Sequence, residues 1–89
     1  NRSYDLIYNI ENSIINIEVK ATGTNTFQRF RPHALTADYV LWINFNNNNY
    51  DIAVFSPNIL TPRNNGEVDI NWTTLIQLEN ISLFENNEI

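Results

Sequence analysis

Two adjacent stretches decide the fold: residues 3–10 read SYDLIYNI, residues 13–21 read SIINIEVKA, and Glu11-Asn12 lies between them. Both stretches are rich in β-branched and aromatic residues, which predicts two strands. A two-residue turn at Glu11-Asn12 would join them into an antiparallel hairpin. The register of that hairpin places Asp5 directly opposite Glu18.

The alternation of side chains along each predicted strand assigns them to two faces. One face is apolar and is the predicted core face; it consists of Tyr4, Leu6, Tyr8, Ile10, Ile15, Ile17, Val19 and Ala21. The other face is half polar and is predicted to line a cleft or face solvent; it consists of Asp5, Ile7, Asn9, Ile14, Asn16, Glu18 and Lys20.

Two carboxylates on the polar face demand a compensating charge. Directly opposed residues have Cβ atoms about 4.5–5.5 Å apart, so Asp5 and Glu18 would repel each other. A divalent metal ion with oxygen ligands would remove this repulsion, and Lys20 on the same face would do so in part. The simpler alternative is a surface ion pair between Lys20 and Glu18, which contributes about 0–1 kcal/mol.

At these residues the chain resembles the PD-(D/E)XK nuclease superfamily, which includes restriction endonucleases, resolvases and DNA-repair nucleases. Asp5 matches the motif aspartate, Glu18 the second carboxylate and Lys20 the motif lysine; Tyr4 stands where the usual proline would be. The stretch 27–45, which ends ADYVLWINF, is similar to the connector and buried strand that follow the motif. The resemblance covers residues 1–56.

This resemblance implies a Mg²⁺-dependent endonuclease that cuts double-stranded DNA, with Mn²⁺ as a substitute. Asp5, Glu18 and the backbone carbonyl of Val19 would hold the metal ion, and Lys20 would orient or deprotonate the attacking water. The resemblance further implies a bacterial cytoplasmic restriction enzyme that acts as a homodimer or as part of a larger chain. Candidate phosphate contacts are Gln28, Arg29, Arg31 and His33, although a solvated face for the arginines and a structural role for the histidine are the simpler interpretations.

The expected fold is α+β (α/β): a central mixed sheet of restriction-endonuclease type, flanked by one or two helices and incomplete at its N-terminus. The remaining elements follow from turn and breaker signals. In chain order they are a loop at 22–25, an extended segment at 26–31, a short helix after Pro32, strands at 38–45 and 50–56 joined by Asn46–Asn49, a loop at 58–68, a helix at 72–82 and a frayed tail at 85–88.

Composition sets outer limits on these predictions. A chain of 89 residues forms one small domain, and the absence of cysteine excludes disulfides and thiolate metal sites. The sequence shows no membrane-span or signal-peptide pattern. The chain begins directly in a predicted strand, whereas a nuclease core has a helix before it, so we expect it to be part of a larger protein.

The net charge of −5 opposes binding to DNA. The charge is unevenly distributed, because residues 1–33 carry +1 and residues 34–89 carry −6. Two other functions therefore stay open: a catalytically inactive nuclease fold that serves as a binding module, and an acidic inhibitor that mimics DNA.

Overall fold

The computed structural model describes residues 4–23 and 27–86. Parts of the predicted loop at 22–25 and of the predicted tail at 85–88 lie outside these residues, as does the predicted start of the first strand at Ser3. The described elements are β1 (Leu6–Ile10), β2 (Ser13–Thr22), β3 (Phe27–Phe30), a 3₁₀ turn (Ala34–Thr36), β4 (Tyr39–Asn46), β5 (Asn49–Phe55), a 3₁₀ turn (Pro57–Ile59), β6 (Val68–Asn71), α1 (Trp72–Leu75) and β7 (Ile81–Asn86).

The first hairpin has the predicted two-residue turn. Glu11 and Asn12 both have positive φ, 48° and 69°, as a type I′ turn requires. Ile10 therefore pairs with Ser13, and the ladder runs on to Leu6 opposite Ile17. The predicted register is confirmed, even though Glu-Asn is not a favoured sequence for this turn.

Five strands form the main sheet in the order β1-β2-β4-β5-β7. β2 and β4 are parallel, and the other pairs are antiparallel, so the sheet is mixed as predicted. The connection from β2 to β4 contains β3 and the first 3₁₀ turn. The asparagine-rich turn between β4 and β5 has Asn47 in a left-handed conformation, with φ of 58°. β1 and β7 are the two edges of this sheet.

A second layer covers one face of the main sheet. It consists of the antiparallel pair β3–β6 together with α1. Trp42 is fully buried at the centre of the contact, and its ring meets Phe30 and Trp72 edge to face at centroid distances of 5.8 and 5.3 Å. The Trp42 indole N–H donates to the Thr22 hydroxyl at 2.7 Å, so this buried donor is satisfied.

The prediction of the hairpin's core face is wrong. In the parallel register, Glu18 lies beside Val40 and Lys20 beside Trp42, which puts the motif residues on the covered face of the sheet. Glu18 is only 3% exposed, whereas Leu6, Tyr8 and Ile10 on the opposite face are 45–62% exposed. Apolar alternation identified the two faces, but it could not tell which face the second layer covers.

The predictions for the C-terminal third also need correction. Residues 68–71 form β6 rather than a loop, and the predicted helix at 72–82 ends after four residues, at Leu75. Asn80 has a φ of 66° and turns the chain, after which Ile81 pairs with Phe55. Pairing with the other side of β5 thus prevails over the helix that the spacing of the apolar residues predicted. Helical structure among the described residues consists of the short α1 and the two 3₁₀ turns, so the α+β class with a mixed sheet is confirmed.

One cross-strand pair opposes two like charges. Asp51 on β5 lies directly opposite Glu85 on β7, a destabilising arrangement worth about 0.2–1 kcal/mol. We expect Glu85→Lys to raise the free energy of unfolding by a similar amount, measured by urea denaturation. Glu79→Lys is the control, because Glu79 lies in the turn before β7 and makes the same change in charge outside the ladder. Equal stabilisation by both variants would attribute the effect to net charge instead.

Candidate functional site

Asp5 stands immediately before β1 and reaches across to β2. Continuing the ladder by one residue places it opposite Glu18. Its Oδ2 accepts a hydrogen bond of 2.8 Å from the backbone N–H of Val19. A side-chain oxygen thus takes the position of a ladder carbonyl, which fixes the Asp5 carboxylate beside the motif strand. This contact uses the N–H of Val19, so a metal-binding role for its carbonyl oxygen stays a prediction.

Glu18 is the buried acid of the hairpin. Its Oε1 is inaccessible to solvent and has no hydrogen-bond partner, while its Oε2 lies 3.6 Å from Nζ of Lys20. Burial of a carboxylate oxygen without a partner is costly, commonly about 1–3 kcal/mol and more for a charged group. Such a group in a folded protein calls for an explanation, and a frequent explanation is a bound ion or water molecule.

Lys20 lies between the covered interior and solvent, with 26% of its side chain exposed. At 3.6 Å its ammonium forms an ion pair with Glu18 and does not hydrogen bond to it. It balances part of the buried charge and leaves the other carboxylate oxygen unsatisfied. The structure therefore brings Asp5, Glu18 and Lys20 to the same end of the first hairpin.

Asp5 and Glu18 supply two of the oxygen ligands that a magnesium site would need. Among residues 4–23 and 27–86 no group of three or more His, Cys, Asp or Glu side chains could hold a metal ion. Mg²⁺ usually keeps several waters and binds through one or two carboxylates and substrate phosphates. Asp5 and Glu18 provide two carboxylates, and the unpartnered Oε1 of Glu18 is an oxygen that a cation would satisfy.

Three of the predicted phosphate contacts lie on or just after β3. Gln28 donates weakly to the carbonyl oxygen of Arg29 at 3.5 Å. Arg29 donates to both carboxylate oxygens of Asp69 on β6, at 2.8 and 3.0 Å. Arg31 is the most exposed of the arginines in this region, and it lies 3.7 Å from Glu67. No hydrogen bond or ion pair between described residues joins any of them to Asp5 or Glu18.

The arginines belong to an ion-pair network that the sequence did not indicate. Arg63 joins it from the loop before β6, at 3.2 Å from Glu67 and 3.3 Å from Asp69. The Arg29 guanidinium lowers the pKa of Asp69, chiefly by hydrogen bonding, and Asp69 in turn raises the pKa of Arg29. A phosphate at Arg29 would have to compete with this carboxylate. The network forms because β3 pairs with β6, which brings together Arg29 and Asp69, forty positions apart in the sequence.

His33 is the predicted phosphate contact that the structure brings close to the hairpin. Its ring stacks on Tyr4 with centroids 4.8 Å apart and an angle of 15°, and Tyr4 directly precedes Asp5. The Nε2 atom of His33 is buried without a hydrogen-bond partner. The Tyr4 hydroxyl also shares a 2.7 Å hydrogen bond with Thr36. These contacts anchor the start of the hairpin to the connection before β4.

A shallow concavity of about 370 Å³ lies away from the hairpin, in the second layer. Its lining residues are Phe27, Asp69, Ile70, Asn71 and Thr74. It shares Asp69 with the ion-pair network and contains none of the motif residues. We therefore place the candidate chemistry at the hairpin, where the unsatisfied carboxylate is.

No family model, curated protein or solved structure matches the chain. The structure contains no helix, within its described residues, that is long and apolar enough to cross a membrane.

The Arg29–Asp69 pair predicts an acid-dependent loss of stability. Because the folded-state pKa of Asp69 is lowered, its contribution is present above the ordinary aspartate pKa of about 3.9 and is lost as the pH falls through the lower folded value. We expect Asp69→Asn to be less stable than the wild type at neutral pH and the difference to shrink through this window. Thermal unfolding followed by circular dichroism at a series of pH values measures it.

The control for this pH series is Glu79→Gln, because Glu79 is exposed in the turn before β7 and faces no arginine among the described residues. It should differ little from the wild type at any pH. A constant difference between wild type and Asp69→Asn at all pH values would contradict the assigned ion pair.

The unpartnered oxygen of Glu18 predicts a cost to stability in the absence of metal. We expect Glu18→Gln to raise the free energy of unfolding by about 1 kcal/mol in a buffer with chelator, because a neutral amide is less costly to bury than a carboxylate with one unpartnered oxygen. Denaturation in urea measures the change, with the exposed Glu79→Gln as control. A marked loss of stability would show instead that the ion pair with Lys20 is the dominant contribution of Glu18.

Proposed function

We propose that this chain carries the catalytic site of a Mg²⁺-dependent endonuclease that hydrolyses phosphodiester bonds in double-stranded DNA, as the catalytic part of a type II restriction endonuclease. The observation that carries the proposal is the carboxylate of Glu18, which is buried with one oxygen unpartnered. It lies beside Lys20 and next to the backbone N–H that holds Asp5. A bound metal ion would offset the cost of burying the Glu18 carboxylate with one oxygen unpartnered.

The order of strands supports the same proposal. The motif lies on an antiparallel hairpin, and β4 follows as a parallel neighbour of β2 after a connection that contains β3. Val40 and Trp42 on β4 are fully buried, in keeping with the buried strand that the resemblance implies after the motif. β2 is thereby supported on both sides, which suits a strand that must hold two reactive side chains.

In the proposed site, Asp5 and Glu18 would hold the Mg²⁺ ion. The bound metal would polarise the scissile phosphate and lower the pKa of the attacking water. Lys20 would orient that water with its Nζ ammonium, and the proton lost by the metal-bound water would pass to solvent. The hydrogen bond from Val19 would keep the Asp5 carboxylate in position, so that little reorganisation is needed when substrate arrives.

Acidic charge is the main physical objection to this function. The chain carries −5 overall, and duplex DNA attracts cations and repels acids. Metal ions at the hairpin would neutralise the local carboxylates, and Arg31, which is 71% exposed, is the arginine best placed for phosphate. A homodimer would be needed to cut both strands.

Metal binding provides the first test. We expect Mn²⁺, or Ca²⁺ to prevent turnover, to bind the wild type in isothermal titration, and Asp5→Asn and Glu18→Gln each to abolish the heat of binding. The same ions should raise the melting temperature of the wild type, since a ligand that binds only the folded state stabilises it. Neither variant should respond.

Asp38→Asn is the matched control for Asp5→Asn. The Asp38 carboxylate likewise accepts a 2.8 Å hydrogen bond from a β2 backbone N–H, that of Asn16, but it is not part of the motif. It should bind metal as the wild type does. Loss of binding in Asp38→Asn as well, or no binding by a folded wild type, would refute the metal site.

A binding module without turnover is the second candidate. The observation that favours it is the absence of a third acidic or histidine ligand near Asp5 and Glu18 among the described residues. Plasmid cleavage with Mg²⁺, using the longest available form of the protein, separates the two candidates. Cleavage by the wild type that Lys20→Ala abolishes would favour the endonuclease. Metal binding that depends on Glu18, together with no cleavage by the wild type, would favour the binding module.

A DNA-mimicking inhibitor is less well supported. Such a protein would display its acids as an exposed stripe, whereas Glu67 and Asp69 are paired with arginines.

A further inference from the structure

The face of the main sheet opposite the second layer is a continuous apolar surface, which we call the open face. The register places apolar side chains from all five strands on it. No charged residue points from this side among the strand positions that the structure describes. Its members are Leu6, Tyr8, Ile10, Ile15, Ile17, Val19, Ala21, Tyr39, Leu41, Ile43, Phe45, Tyr50, Ile52, Val54 and Phe84.

The open face is too large to be ordinary surface. Tyr8, Tyr39, Phe45 and Phe84 are 44–62% exposed. At about 200 Å² for a whole aromatic side chain, these four residues alone expose on the order of 400 Å². The half-buried aliphatic residues bring the total towards the roughly 800 Å² that each partner contributes to a standard protein interface. Apolar patches of this size mark interaction sites.

The sizes of the side chains give the open face a shape. The aromatic residues lie near its perimeter: Tyr8 on the β1 edge, Phe84 on the β7 edge, and Phe45 and Tyr50 at one end of the β4–β5 hairpin. The middle is occupied by smaller residues, among them Val19, Leu41 and Val54, which neighbour one another across β2, β4 and β5. Rings therefore rise around a lower aliphatic floor.

This shape suits a helix better than a second copy of the chain. Two copies packed face to face would bring rim against rim and floor against floor, and each would add a net charge of −5. An α-helix is a cylinder about 10 Å across. Five strands spaced about 4.8 Å apart span about 19 Å, which a helix of about 14 residues would cover.

The charges around the open face indicate what the polar side of such a helix should carry. The chain carries a net charge of −5, and Glu11 lies in the exposed turn at one end of the open face. The described cations lie elsewhere: Lys20 is on the covered face, and the arginines belong to the network on the second layer. A partner with lysine or arginine along its flanks would therefore be attracted.

We propose that the open face is a docking surface for an amphipathic α-helix of a partner protein, with an apolar stripe that fills the aliphatic floor and basic residues along its flanks. Helix-in-groove recognition of this kind uses apolar anchors at i, i+3, i+4 and i+7. This site is separate from the proposed metal site, which lies on the other side of the same sheet.

The test uses a fluorescein-labelled helical peptide of about 18 residues. Leucine occupies the apolar stripe, at i, i+3, i+4, i+7 and onward in the same pattern, and lysine occupies all other positions. A scrambled peptide of the same composition has the charge without the stripe, and a leucine–glutamate peptide has the stripe with the opposite charge. We expect saturable one-to-one binding of the leucine–lysine peptide by anisotropy, with a gain of helix by circular dichroism. The other two peptides should bind at least tenfold more weakly.

Substitutions on the two faces of the main sheet locate the binding surface. Tyr8→Lys and Phe84→Lys, at opposite edges of the open face, should each weaken peptide binding at least tenfold. Ile14→Lys is the matched control, because Ile14 is equally exposed but points to the other side of β2, and it should leave binding unchanged. All three sites are solvent-exposed, and melting curves verify that each variant is folded.

Three results would overturn the proposal. Equal binding of the scrambled peptide would reduce the interaction to charge. Equal weakening by Ile14→Lys would place it elsewhere on the hairpin. A dimer in sedimentation that Tyr8→Lys dissociates, with no peptide binding by the wild type, would show that a second copy covers the open face.

Discussion

Two consecutive residues in the left-handed conformation, Glu11 and Asn12, set the register on which the rest of the molecule depends. A loop one residue longer would move every side chain of β1 to the other face of the sheet. With the observed turn, Asp5 arrives beside Val19 and Glu18. The conformation is costly for glutamate, which lacks the freedom of glycine at positive φ. The five residue pairs of the β1–β2 ladder have to offset that cost.

The sequence contained the information for the strands and their local pairing. Alternation and turn residues predicted the first hairpin in register, the β4–β5 hairpin and the extended segment at β3, and each depends on residues near one another in the chain. Long-range pairing was not accessible in this way. Nothing in VDIN at 68–71 or in ISLFEN at 81–86 tells which distant strand each segment joins. The helix predicted at 72–82 was wrong because the open side of β5 decided the outcome.

The candidate site shows the same division between local and distant information. Spacing alone predicted that Asp5, Glu18 and Lys20 would share one end of a hairpin. It did not predict that Glu18 would be buried, because burial depends on β3, β6 and α1 covering that face. The arginines show the same dependence on distant residues. Arg29 looked available for phosphate in the sequence, and its partner Asp69 lies forty residues away.

The strand that carries the chain from Asp5 to the turn is also an unprotected edge. β1 has no charged residue among its five, LIYNI, and every one of them is exposed. Natural edge strands usually avoid pairing with strands of other molecules by means of lysine, proline or a bulge. β1 has none of these devices within its sequence, and no described strand pairs with its outer row of N–H and C=O groups, which strands from other molecules could therefore join. Solutions of this domain should consequently aggregate through β1 first, and the yield of folded protein should fall steeply with concentration.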